Sequence, residues 1–171
     1  MNFNNYTIKS QEAIQKAVEI ASANGQQIVE TGHILKAVME VDENIGNFLF
    51  KKLNVNSAQV KSKLEAVIAT YVKSSGQEPT LSNDANAALM RATNLLKEFG
   101  DEYVALEHIL LAILAGKDKT AQLLKDAGVQ EKSLKLAIIE LRGGEKVTDQ
   151  NAENKYNSLK KYSKNLNEMA K

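Results

Sequence analysis

The chain has 171 residues, enough for one well-buried core or two small ones, and a net charge of only +1 at pH 7. A charged fraction of 25% with so little excess of either sign excludes the basic surface of a nucleic-acid-binding protein. The absence of cysteine excludes disulfides and thiolate metal sites. No stretch approaches the roughly 20 apolar residues of a membrane span, and no signal-peptide pattern opens the sequence. We therefore expect a cytoplasmic protein without membrane or nucleic-acid partners. A single proline and abundant Ala, Leu, Lys and Glu favour an all-α fold.

Four helices are predicted in the first half, from apolar residues that recur at spacings of three and four. Most follow a residue whose side chain can accept hydrogen bonds from the free N–H groups at a helix start. The first helix runs to about Asn24 and ends at Gly25. The candidate caps are Thr7 or Ser10, Thr31, and Asn56 or Ser57, with a break over 42–46 before the third helix.

Four more helices are predicted in the second half, after a polar linker over 73–79 that holds the only proline. Ser82 caps the fifth helix, and Gly100 stops it in the left-handed conformation that follows many helix ends. The sixth helix, ending near Gly116, has almost no polar face and should be buried. The seventh covers about 120–127 and the eighth includes 133–141.

The two halves repeat each other. With a shift of 75 positions, Gly25 aligns with Gly100, and the stretch His33-Ile-Leu35 aligns with His108-Ile-Leu110. Such matches, all at helix stops or core positions, indicate a duplicated unit. The sequence thus predicts two tandem four-helix repeats related by a pseudo-twofold axis. Each repeat has apolar stripes that must be buried, and we expect the other repeat to cover them.

The sequence contains no recognisable set of catalytic residues. His33 and His108 lack further ligands at metal-binding spacing, so each is predicted to bond to loop backbone at a helix start. Asp101 and Glu107 could be a catalytic carboxylate pair, but their place favours helix-start electrostatics. We expect an interaction module rather than an enzyme, with no cofactor of its own.

The C-terminal part is a polar connector followed by a predicted amphipathic ninth helix over 152–170. Its apolar residues recur at three or four: Tyr156, Leu159, Tyr162, Leu166 and Met169. This helix has no core of its own. It either docks on the repeats or begins a further part of the protein.

Three stretches carry a resemblance to a known family. They are Thr7-Ile-Lys-Ser-Gln11, Gly100-Asp-Glu-Tyr-Val-Ala-Leu-Glu-His-Ile-Leu-Leu-Ala112 and Gly143-Gly-Glu-Lys-Val-Thr-Asp-Gln-Asn-Ala-Glu153. The doubled unit and the first two stretches resemble the Clp repeat N-domain of Hsp100/Clp AAA+ proteins. The third resembles the linker that precedes the first ATPase module in the ClpB branch, more than in the ClpA or ClpC branches. The resemblance divides the chain into repeat 1 (1–73), repeat 2 (80–142), together one N-terminal domain (1–142), and a linker (143–171) to an ATPase module absent here.

The resemblance implies a domain that engages exposed hydrophobic segments of unfolded or aggregated polypeptides weakly. It implies a homohexameric parent protein that receives these polypeptides, binds ATP and Mg²⁺ and works with a DnaK-type chaperone system. This chain by itself should bind no nucleotide and remain monomeric. The alternative is a docking module for adaptor proteins. By position, Thr7, Asp101 and Glu107 match family residues tied to substrate handling. The groove candidates are apolar residues outside the main stripes: Ile14, Val18, Leu89, Tyr103 and Leu106.

Two departures from the family pattern affect these expectations. Ala105-Leu106 stands where Ser or Thr often precedes the Glu-His pair, so the helix lacks its usual cap. Gly32 stands where the first repeat usually has Glu. A symmetric pair of acidic binding sites is therefore not expected.

Overall fold

The computed structural model describes residues 2–156. The first repeat contains four helices and one two-residue strand, and Thr7, Asp42 and Asn56 cap α1, α3 and α4 through their side-chain oxygens. The Thr7 and Asn56 caps confirm the sequence expectation. The elements are α1 (Ile8–Ala23), β1 (Ile28–Val29), α2 (Thr31–Val41), α3 (Glu43–Lys52) and α4 (Ser57–Ala69).

The second repeat has the same order. Ser82 caps its first helix, accepting a hydrogen bond from the Ala85 N–H, and Gly100 ends that helix at φ +70°, as predicted. Its elements are β2 (Thr80–Leu81), α5 (Asn83–Phe99), α6 (Leu106–Leu114), α7 (Lys119–Asp126) and α8 (Glu131–Arg142). The helical class of the fold is thereby confirmed.

The pseudo-twofold relation holds at individual hydrogen bonds. The Thr7 N–H donates to the Val104 carbonyl at 3.0 Å, and the Ser82 N–H donates to the Val29 carbonyl at the same distance. Strands β1 and β2 pair in parallel, and Tyr6 forms the matching parallel bridge with Val104. The segment before each repeat's first helix therefore bonds to the loop of the other repeat. The sequence did not predict these strands, because two extended residues carry no readable alternation.

The core lies where the second helices of the two repeats meet. Every residue of α6 is buried, and α6 packs against α1, α2, α5, α7 and α8. Across the repeats, α3 packs against α8 and α4 against α7. The predicted stripes of α1 and α5 are buried mainly against α2 and α6 of the same repeat, including Ala13, Ala17, Ala85 and Ala92.

Two local predictions were wrong. Thr31 is the first residue of α2 rather than its cap, and its hydroxyl donates to Asp118 across the repeat boundary at 2.7 Å. The predicted break over 42–46 shrinks to Asp42, which caps α3 and so lets Glu43 begin the helix. Helix α8 contains the predicted residues 133–141 and extends to Arg142, since Gly143 supplies the left-handed stop.

Of the predicted ninth helix, residues 152–156 are helical, and 157–171 lie outside the described residues. In the described part of the chain, no helix combines the length and apolar character needed to cross a membrane.

Candidate functional site

The site is built from the loop before α6, the start of α1 and the end of α8. The imidazole of His108 organises the loop, because its Nδ1 accepts a hydrogen bond from the Ala105 N–H at 2.8 Å. This bond satisfies the Ala105 N–H and places the ring proton on Nε2, which donates to Asp101 Oδ2 at 2.7 Å. His33 does the same in the first repeat, accepting from the Glu30 N–H at 2.9 Å. Both histidines are thus bonded to loop backbone, as predicted.

Asp101 and Glu107 are held by one guanidinium. Arg142 donates from Nη1 to Asp101 Oδ2 and from Nε to Glu107 Oε2, each at 2.8 Å, and all three side chains are buried. The ring of Phe99 lies 5.2 Å from the guanidinium carbon. Helix-start electrostatics is therefore an incomplete account of these carboxylates. Arg142 was missed by sequence reasoning, although its place one turn after the buried Ile138 is a usable signal.

The network controls the protonation of its members. Burial alone would raise the pKa of Asp101, but hydrogen bonds from His108 and the Val147 N–H, with the charge of Arg142, lower that pKa below its ordinary value. Burial acts to lower the pKa of Arg142, and the charges of Glu107 and Asp101 raise it instead. Both shifts favour the ionised forms of Asp101 and Arg142 at neutral pH.

The first repeat has a neutral version of the same arrangement. Gln26 replaces Asp101, accepting from His33 Nε2 at 2.6 Å and donating to the Ile68 carbonyl at 2.8 Å. Gly32 replaces Glu107, and a Cβ there would lie 2.4 Å from the Tyr71 hydroxyl oxygen. The charged network thus belongs to the second repeat alone among residues 2–156.

Residues 145–156, which we call the C-terminal strap, lie across this network. The Val147 N–H donates to Asp101 Oδ1 at 2.9 Å, and the Val147 carbonyl accepts from the Glu102 N–H at 2.8 Å. The Gln150 carbonyl accepts from the Ile8 N–H at 2.9 Å. The strap therefore bonds through its backbone to both sides of the site.

Glu153 enters the site from the strap. Its Oε2 accepts from the Thr7 hydroxyl at 2.6 Å and from the Leu106 N–H at 3.1 Å, and the side chain is fully buried. Burial and the neighbouring Glu107 charge raise the pKa of Glu153 to about 7, although the bonds from Thr7 and Leu106 act against the rise. Glu107 Oε1, Glu153 Oε1 and the Tyr156 hydroxyl are buried there without a hydrogen-bond partner.

The structure brings together three of the sequence-predicted site residues. Thr7 reaches the site through Glu153, and Asp101 and Glu107 meet at Arg142. Their role in substrate handling remains a prediction. Thr7 and Glu107 are fully buried, and Asp101 is 9% exposed, so an incoming molecule reaches them only if the covering strap moves.

The five apolar groove candidates differ in burial. Ile14, Leu89 and Leu106 are buried in the core, where an incoming molecule does not reach them directly. Each carrying helix contacts several others, so positions outside the main stripe become covered as well. Val18 and Tyr103 are half-buried and remain accessible in part. Binding by any of the five remains a prediction.

Large apolar side chains that are exposed lie elsewhere. Leu136 and Ile139 are one turn apart on α8, 62% and 49% exposed, and so share a face of that helix. The others in the described chain are Ile8, Ile28, Val72 and Met90. Residues 2–156 contain no group of three or more histidine or acidic side chains suited to holding a metal ion.

Comparison with known proteins identifies relatives over the whole length. The profile of the Clp repeat (R) N-terminal domain matches residues 5–127. The chain is 54% identical over 171 residues to the chaperone protein ClpB of Bacteroides thetaiotaomicron and 47% identical to that of Porphyromonas gingivalis. Both alignments cover 100% of this chain and 20% of the relative, so the chain spans about a fifth of the length of these curated relatives.

The solved structures agree on the fold. The crystal structure of the Hsp104 N-terminal domain from Candida albicans aligns with a TM-score of 0.77 at 23% sequence identity, covering 88% of this chain and 99% of that one. At this level of identity the likeness concerns the fold alone.

Proposed function

The chain belongs to the Clp repeat N-terminal domain family, and from this premise we propose that it captures exposed hydrophobic segments of unfolded or aggregated polypeptides and passes them to an ATPase ring. The observation that carries the proposal is the 54% identity, over all 171 residues, to a chaperone named ClpB. The half-exposed Val18 and Tyr103, together with Thr7, Asp101 and Glu107, are the residues we assign to this contact.

Binding by a single domain should be weak. Burial of two or three client side chains yields about 1.5–3 kcal/mol each, and much of this is cancelled by the cost of ordering the chain. We propose that the parent protein compensates through several domains acting together in a hexamer. Weak capture also suits a domain that must release its cargo.

We extend the proposal to the parent protein. It is an AAA+ ATPase that binds ATP and Mg²⁺ in modules outside this chain, works with a DnaK-type chaperone system and acts in the cytoplasm. The chain itself binds no nucleotide and is a monomer. A sedimentation experiment that finds a stable hexamer of this chain would refute the last point.

An NMR titration tests the proposed capture. Reduced, carboxymethylated α-lactalbumin is a permanently unfolded probe, and native calcium-loaded α-lactalbumin is its folded control. We expect fast-exchange shifts, with micromolar to millimolar affinity, around Val18 and Tyr103 for the unfolded probe only. Absence of shifts, together with tight one-to-one binding to a folded protein, would instead support the adaptor-docking alternative.

A further inference from the structure

We propose that the C-terminal strap is an internal competitor for client polypeptide: it fills the surface between the start of α1 and the loop before α6, and an extended client segment binds there when the strap is released. This inference rests on the proposed function and says where the client binds and what controls access. The occupant we assign is an extended polypeptide that presents apolar side chains.

The first argument is the kind of contact that the strap makes. The Ile8 and Glu102 N–H groups both donate to strap carbonyls, and Asp101 Oδ1 accepts from a strap N–H. These three bonds involve only the main chain of the strap, so they do not depend on its sequence. An extended polypeptide offers the same groups as residues 145–148 around Val147, whereas residues 149–151 turn and 152–156 are helical.

The second argument is the side chains that the strap buries. Val147 is fully buried, and Ala152 and Tyr156 are nearly so, whereas Glu145, Lys146, Thr148 and Asn151 are exposed. The strap is therefore anchored by a few apolar side chains spaced along a polar segment. An unfolded client with apolar residues at similar intervals can make the same kind of contact.

The third argument is that the seated strap is imperfectly matched to its site. Three polar atoms around Glu153 are buried without a hydrogen bond of good geometry, although Tyr156 faces Glu107: Glu107 Oε1, Glu153 Oε1 and the Tyr156 hydroxyl. A purely structural tail would be expected to satisfy these atoms or to replace them with apolar groups. The mismatch keeps the seated and released states close in free energy, as a competitor requires.

Protonation of Glu153 sets how firmly the strap is seated. The groups that face it are Thr7 from the start of α1, Glu107 and the Leu106 N–H from α6, and Tyr156 from the strap itself. Arg142 of α8 is shared with Glu107 and Asp101, and His108 is bonded to Asp101. Glu107 is the charge that opposes ionisation of Glu153.

The sign of the pH effect follows from this raised pKa. The seated strap holds a proton on Glu153 up to about pH 7, whereas the released strap loses it near the ordinary value of 4.5. Seating is therefore strongest in mild acid and weakens as pH rises through 7. The two values make seating about tenfold more favourable at pH 6 than at pH 8.

Releasing the strap in the intact 171-residue chain tests the proposal. Val147→Asp places a carboxylate beside Asp101, while Thr148→Asp adds the same charge at the exposed neighbouring position and is the matched control. Faster amide exchange at Ile8 and Glu102, the donors to the strap, reports release without any client. We expect Val147→Asp to bind reduced, carboxymethylated α-lactalbumin at least tenfold more tightly than the unaltered chain, with Thr148→Asp unchanged.

Glu153→Gln serves as a second variant that should keep the fold. The amide can accept from Thr7 and donate to Glu107 Oε1, so the strap is seated more firmly and without a titrating group. For the unaltered chain we expect about tenfold weaker client binding at pH 6 than at pH 8. Glu153→Gln should bind the client at least tenfold more weakly than the unaltered chain at pH 8 and show no change between the two pH values.

The remaining outcomes separate the two proposals. Equal binding of the unfolded probe by all variants, with release confirmed by amide exchange, overturns the competitor while leaving client capture in place. The same pH response in the unaltered chain and in Glu153→Gln also overturns it. Failure of every variant to bind the probe overturns the proposed function and the competitor together.

Discussion

Arg142 compensates two buried carboxylates at once, and no other cation among the described residues contacts them. A buried ion pair adds little compared with apolar packing, because desolvation opposes the Coulombic gain. Loss of one partner is strongly destabilising, since it leaves uncompensated charge in the interior. Removal of Arg142 is therefore expected to cost more free energy of unfolding than the ion pairs themselves contribute, because it leaves two buried carboxylates without a cation.

We expect Arg142→Met to lower the free energy of unfolding by about 3–5 kcal/mol, because Asp101 and Glu107 would keep negative charge without a partner. Lys135→Met is the control, since Lys135 is on the same helix and pairs with Glu98 at 2.7 Å on the surface. That control should change the free energy of unfolding by about 1 kcal/mol or less. Urea denaturation followed by circular dichroism measures both. Equal losses would show that the network is no more costly to break than a surface pair.

A second prediction at the residue scale concerns His33. Burial, with a smaller contribution from the Lys36 charge, lowers the pKa of His33 from 6.5 to about 4. The unfolded chain takes up a proton below pH 6.5 that the folded chain refuses until about pH 4. Stability should therefore fall by up to about 3 kcal/mol as pH drops across this window.

Proton NMR of the imidazole Cε1–H gives the His33 pKa directly, and with only two histidines in the chain the signals are readily assigned. The variant His33→Gln should lack this part of the pH dependence of unfolding. A His33 midpoint near 6.5 would contradict the prediction.

At the scale of the helices, the repeat supplies matched caps. Thr7 and Ser82 occupy equivalent positions, and each side chain accepts the N–H bond that begins its helix. They differ in their other contacts, because the Thr7 hydroxyl also donates to Glu153 and lies 2.9 Å from the Ser10 hydroxyl oxygen. Comparison of variants at Thr7 and Ser82 therefore distinguishes the effect of losing a helix cap from the effect of losing the contact with the strap.

Ser82→Ala should cost about 1 kcal/mol, the usual value for loss of an N-cap. Thr7→Ala should cost about 2–3 kcal/mol, because it also leaves Glu153 with one fewer donor in a buried site. Thermal and urea unfolding of the two variants measure the difference. If both variants lose the same amount, the Thr7–Glu153 bond contributes nothing to stability.

At the scale of the whole molecule, the two repeats are interlocked. The segment before α1 bonds to the loop of repeat 2, and the segment before α5 bonds to the loop of repeat 1. The helices α2 and α6 cover each other, as do the cross-repeat pairs α3 with α8 and α4 with α7. Separation of the repeats would expose the apolar faces at these contacts, although α1 with α2 and α5 with α6 also pack within each repeat.

We expect residues 1–76 and 77–171 to be largely unfolded as separate chains, because each exposes the apolar faces that the other covers. Mixed in equal amounts, they should regain helical signal at 222 nm. The intact chain should unfold in one cooperative transition. Stable, helical behaviour of either half alone would show that the repeats are independent units.

Much of this architecture was readable in advance, for a physical reason. Helix starts and stops depend on local chemistry, so Thr7, Asn56, Ser82 and Gly100 were identified from residue type and position. The duplication was visible because both copies must satisfy the same packing. Likewise, a histidine three residues after a helix start can bond back to the loop, and both histidines do so.

The site was less predictable, because its contacts join residues far apart in the chain. Arg142 meets Asp101 and Glu107 from 41 and 35 positions away, and Glu153 meets Thr7 from 146. Periodicity within one helix cannot show that several neighbours cover it. For this reason the sequence did not show that the groove candidates Ile14 and Leu106 are covered by neighbouring helices.

The sequence alone determined the helical class, the duplicated unit, the principal caps and the family, all of which depend on local chemistry or on repetition along the chain. Only the tertiary structure decided which carboxylates share a cation, which apolar residues remain exposed, and that the strap covers the candidate site. These depend on how distant segments pack, where burial changes both the accessibility and the protonation of a side chain.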